Sequence, residues 1–257
     1  MIQETQTATA SFFVPVVVGY ASAFVGLEGA SRFARSVWPA ADTARSRAPR
    51  LDLGIALLVA TAIIGLGSLW TNGTLRWHWP GDWDYAAYAL AQLAIWSPLP
   101  LALWLRRQRA ASAWTGADHL APRLAIGLLL GCVAVTFYLA ARGELSRWPA
   151  IVAKAFTWHS LAHAAPVYLE GVGIAYIYVR LQWVVGTWVA ALIPALLFAI
   201  AHVARALADG ESAGSIVVFF AFNLVFVTTL LLALGRYRDV VSLGVVHFCM
   251  DLATDAF

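Results

Sequence analysis

The chain has 257 residues, 61% of them hydrophobic and only 12% charged, with a formal net charge of +3 and a mean hydropathy of +0.74. A soluble domain carries roughly 25% charged residues, so the composition excludes one and specifies a polytopic membrane protein. So small a net charge does not suggest nucleic-acid recognition, and the bilayer itself is the first expected partner.

The opening stretch MIQETQTATA carries Glu4 but neither Lys nor Arg, so it lacks the basic n-region of a cleaved signal peptide. A crossing helix needs about 20 apolar residues. That ruler predicts eight spans, at about 11–28, 51–70, 85–105, 122–141, 150–180, 184–205, 215–235 and 239–255. The third contains SPLPLAL, whose Pro98 and Pro100 are expected to kink it. The fifth is long, and Pro166 is the expected break within it. The fold class predicted is all-α: a polytopic transmembrane helix bundle of about eight spans, forming one membrane domain over 1–257 with no internal repeat. Cys132 and Cys249 lie inside apolar runs and read as small buried hydrophobes, not as a disulfide framework.

Basic residues orient the spans. The first connection carries Arg32, Arg35, Arg45, Arg47 and Arg50, and the third carries Arg106, Arg107 and Arg109. Arg180 closes the fifth span, and Arg236 and Arg238 separate the last two. The intervening connections are weakly charged or acidic, so every second loop is the basic one and both termini are expected on the non-cytoplasmic side. The inner membrane of a bacterium is the expected location.

Ionisable side chains concentrate in the apolar C-terminal half: Lys154, His159, His163, Glu170, His202, His247, Asp251 and Asp255. Each is expensive within a bilayer, roughly +3 kcal/mol on insertion scales, and is by default a functional hypothesis. Taken singly, each histidine also has a structural reading, a helix-end or interhelical hydrogen bond. His159, His163 and Glu170 form one stripe if their helix is continuous. Phe198 and His202 share a face, as do His247 and Asp251, each pair being four residues apart. A carboxylate at that spacing can accept the imidazole N–H and orient the ring. Asp251 and Asp255 also form a DxxxD pair, the cluster that carries Mg²⁺-diphosphate in membrane prenyltransferases, although one pair falls short of such a site.

The order of a Glu span, FAIAH and a final HFCMD resembles the CPBP family, the CAAX-protease and bacteriocin-processing (Abi) glutamic-type intramembrane proteases. Their pattern is EExxxR, often preceded by Ala-Pro, then FxxxH, then HxxxN or HxxxD. Phe198 and His202 match the second motif, His247 and Asp251 the third, and Ala165-Pro166 the approach to the first. The resemblance covers roughly 150–255; residues 1–149 add further spans. The first motif departs from the pattern. Counted from Pro166, Leu169 stands at the first Glu, Glu170 at the second and Ile174 at the Arg; counted from Glu170 as the first, Gly171 and Ala175 replace the others.

The resemblance implies an intramembrane endopeptidase acting near the tail of a membrane-anchored or lipidated protein. Glu170 and His202 would activate water, and His247, oriented by Asp251, would contact the oxyanion. Phe198, His163 and His159 are the expected substrate-binding residues. No cofactor is required. The variant of this chemistry with a metal would use Glu170, His202 and His247, with Asp251, to hold Zn²⁺ or Fe²⁺. The non-enzymatic alternative is a catalytically silent membrane scaffold or immunity protein that binds a peptide partner, with Glu170 paired to Lys154 or His163 to fix helix packing.

Overall fold

The computed structural model describes residues 2–33, 37–38, 48–75, 79–81, 83–208 and 210–254, with side chains from residue 13 onward apart from 204, 205 and 208. Asp255, Arg35, Arg45 and Arg47 lie outside the described residues. The described chain is helical, with no strand. In order the helices are α1 (Ile2–Phe33), α2 (Pro49–Thr71), α3 (Trp83–Trp96), α4 (Pro98–Leu105), α5 (Leu120–Arg142), α6 (Trp148–Ala155), α7 (Trp158–Val185), α8 (Thr187–Ala208), α9 (Ala213–Tyr237) and α10 (Val240–Thr254).

Local chemistry sets the boundaries. Proline occupies the first turn of α2, α4 and α6, where its missing N–H costs nothing. Gly143, at φ 71°, ends α5, and the Ser212 hydroxyl caps α9 by accepting the Ser215 N–H at 3.2 Å. α3 and α4 meet at a 41° bend around Ser97, where the proline pair is expected to kink the span.

Pro166 behaves otherwise than expected: α7 runs through it without interruption. The break falls earlier, at Phe156–Thr157, because Thr157 supplies a new helix start. Its hydroxyl accepts the Ser160 N–H at 3.3 Å and donates to the Lys154 carbonyl at 2.9 Å. Proline inside a helix is tolerated in a membrane because neighbouring groups re-satisfy the freed carbonyl. Among the described residues four helices are long and apolar enough to cross a membrane (residues 13–33 of α1, α2, α5 and α9), or five if the bent α3–α4 pair is one span. The shorter apolar helices are residues 187–203 of α8 and α10. The molecule is a helical bundle with the character of an integral membrane protein.

Two compact units emerge from the chain. The first comprises residues 1–39, 117–168 and 241–257, and the second 40–116 and 169–240. In the first, small residues let helix backbones approach. A Cβ on Gly127 of α5 would lie 2.7 Å from the Ser242 carbonyl oxygen and 2.9 Å from its Cα. A Cβ on Gly131 would lie 2.6 Å from Cys249 Sγ, so α5 and α10 touch along a GxxxG face. Gly19 and Gly26 of α1 meet Ala134 and Leu130 of α5 in the same way. Gly244 of α10 faces the Tyr168 ring of α7 at 3.0 Å. In the second unit α8 packs on α9, and α2 on α3, α4 and α8. Ala191, Ala195 and Ala199 form a fully buried stripe along α8.

Candidate functional site

In the first unit the Gly244–Tyr168 approach brings α7 beside α10. Asp251 consequently stands between two imidazoles. Its Oδ1 lies 3.5 Å from His247 Nε2, and its Oδ2 lies 3.7 Å from His163 Nε2. These are charge-contact distances, longer than a good hydrogen bond. Asp251 and His163 are each 16% exposed and His247 is 31% exposed, so the group is largely withdrawn from the surface of this unit. The Tyr20 ring of α1 meets His247 edge-on, 6.5 Å between centroids at 62°. His159, one turn before His163, is exposed.

The sequence pattern accounts for His247 and Asp251, which are one turn apart on one helix. Nothing in it pairs His163 with Asp251, because that contact depends on the approach of two helices far apart in the chain. Tyr20 was equally hidden: an aromatic residue in an apolar helix looks like any other.

Glu170, Phe198 and His202 belong to the second unit. His202 Nδ1 lies 3.0 Å from the Phe198 carbonyl, which can only accept, so Nδ1 is the donor and, in the neutral tautomer, Nε2 carries the lone pair. The Phe198 ring lies against the imidazole with centroids 4.1 Å apart, and Phe219 of α9 stands 6.2 Å off. Phe198 therefore holds His202 twice, by its backbone and by its ring, which gives the four-residue spacing a physical reason. Glu170 is half-buried on α7.

Arg180, which has no acidic neighbour in sequence to pair with, finds partners across the fold. It is fully buried inside the second unit, with α7 continuing to Val185. Its guanidinium donates to the Ser112 carbonyl at 2.7 Å, the Ser112 hydroxyl at 2.8 Å and Gln108 Oε1 at 2.6 Å, and it lies 3.8 Å above the Tyr176 ring. Arg106 similarly donates to the fully buried Asp52 at 2.7 Å. The residue types at 52, 106 and 180 flag costly polar groups, but their partners are visible only once α2, α4 and α7 are packed.

Among the described residues no three His, Cys, Asp or Glu side chains are gathered so as to hold a metal ion. No family model, curated protein or solved structure matches the chain.

Proposed function

We propose that the protein is an intramembrane endopeptidase of the glutamic type, hydrolysing a peptide bond near the tail of a membrane-anchored or lipidated protein. The observation that carries this reading is the Asp251 carboxylate of α10 held between the His247 and His163 imidazoles. Such a group costs several kcal/mol in a bilayer and is by default a functional hypothesis. Asp251 orients His247 electrostatically, and His247 donates to the developing oxyanion. His202, with its lone pair directed to Nε2 by the Phe198 carbonyl, shares the proton of the attacking water with Glu170 and returns it to the leaving amine. Phe198, His163 and His159 are the proposed substrate-binding residues, and the chemistry needs no metal. The reading includes the resemblance to CPBP proteins, the eight-span topology with both termini non-cytoplasmic, and the inner membrane of a bacterium.

The test compares membrane-protein termini in cells carrying the wild type and Glu170→Gln. New C-termini that appear with the wild type and vanish with a normally folded Glu170→Gln protein are the expected result. An unchanged set of termini would sink the hydrolase. A second reading, a catalytically silent scaffold that binds a peptide, is favoured by Leu169 and Ile174 at the first Glu and Arg positions of the motif. It expects Glu170→Gln to keep the wild-type phenotype.

A further inference from the structure

In the second unit several arginines converge on one end. The Asp52–Arg106 pair joins the start of α2 to the end of α4. Arg180 ties α7 to residues 108–112. The Trp114 carbonyl accepts the Val240 N–H at 3.3 Å, and the Trp114 and Tyr178 rings lie 5.2 Å apart, so the end of α9 belongs to the same place. Arg50, Arg107, Arg109 and Arg236 are exposed there and Arg238 half-exposed. The exposed Trp104 and Leu105 stand just before Arg106 and Arg107, the order of side chains found where a helix leaves the hydrocarbon.

Two of these arginines occupy backbone positions that favour glycine. Arg107 (φ 51°) and Arg238 (φ 55°) both follow helix ends in the left-handed region. Elsewhere Gly143 fills that role at the end of α5. A side chain in this conformation costs on the order of 1 kcal/mol relative to glycine. At Arg238 the helix dipole does not explain it, since Arg236, in the last turn of α9, already serves that purpose. Neither Arg107 nor Arg238 forms an ion pair among the described residues.

We propose that this end of the second unit binds the phosphate headgroups of anionic phospholipids, with Arg107 and Arg238 as principal contacts. A guanidinium presents a planar fork matched to phosphate oxygens, and each basic residue near an anionic leaflet adds about fivefold to affinity. The proposal is independent of peptidase activity.

The experiment follows the thermal unfolding of the purified full chain in detergent by tryptophan fluorescence, titrated with phosphatidylglycerol or phosphatidylcholine. The proteins are wild type, Arg107→Gly/Arg238→Gly and Arg107→Lys/Arg238→Lys. Phosphatidylglycerol, and not phosphatidylcholine, should raise the wild-type midpoint, and the rise should vanish at about 1 M salt, where charge is screened beyond about 3 Å. The double glycine variant should unfold in detergent no earlier than wild type, since glycine accepts the backbone, yet need about 25-fold more phosphatidylglycerol for the same shift. The double lysine variant should need less than about fivefold more. An unchanged lipid response in the glycine variant overturns the proposal, as does its unfolding in lipid-free detergent. An equal response of the wild type to phosphatidylcholine, inorganic phosphate or polyglutamate also overturns it, by assigning the site to a neutral lipid, a free anion or an acidic protein segment.

Discussion

Polar groups inside this protein survive by being tied to one another, and Arg180 shows how much depends on a single tie. Removing its guanidinium would leave the Ser112 carbonyl and Gln108 without a charged donor in a buried setting. Arg180→Leu is expected to cost about 3 kcal/mol of stability, read as an earlier unfolding transition. Arg180→Lys should restore less than half of that, because a point ammonium cannot replace a fork reaching two residues at once. Outside the helices the balance is weaker and depends on pH. Arg147, and then Arg142, hold the Glu144 carboxyl below its ordinary value through ion pairs at 2.9 and 3.0 Å. A depressed carboxylate stabilises the fold above the ordinary glutamate range, and that contribution is lost as the pH falls through the lowered value. Amide protection across residues 143–147, corrected for intrinsic exchange at each pH, should therefore fall on acidification below that range and stay constant near neutrality. Glu144→Gln should abolish the change.

Helix contacts in the first unit depend on missing side chains. Gly127 is the sharpest case, since what a Cβ would meet is backbone of α10, which cannot rotate away. Gly127→Leu is expected to separate α5 from α10 and destabilise the protein by about 1–3 kcal/mol or more. Gly29 of α1 has nothing within 4 Å of such a Cβ, so Gly29→Ala should be neutral or stabilising by up to about 1 kcal/mol. Unfolding of the two variants side by side in bicelles checks both directions. A loss confined to Gly29→Ala would contradict the packing. Most helix limits were legible to within a few residues from the length of the apolar runs, and the ends themselves are local events: a proline in a first turn, a serine cap, a glycine past the end. The Pro166 break was misread because proline acts locally on one hydrogen bond, whereas Thr157 and its cap decided where the new helix begins.

For the molecule as a whole, the proposed eight-span topology places residues 109 and 238 on the cytoplasmic side and residues 144 and 211 opposite. Single cysteines at these positions, with Cys132 and Cys249 replaced by Ala, should react with an impermeant maleimide from opposite faces of sealed vesicles. Labelling of 109 and 144 from the same face would refute the alternation. Membrane character and helical class followed from the sequence by itself, since 61% hydrophobic residues leave a bilayer as the only solvent and helices as the economical way to cross it. The HxxxD and FxxxH pairs were equally readable, because one helical turn fixes both partners. Tertiary structure alone decided that His163 stands at Asp251, that Arg180 is interior, and that Arg107 and Arg238 take left-handed backbone positions. Those facts depend on helices distant in sequence coming within a few ångströms, and periodicity along one helix carries no information about its neighbour.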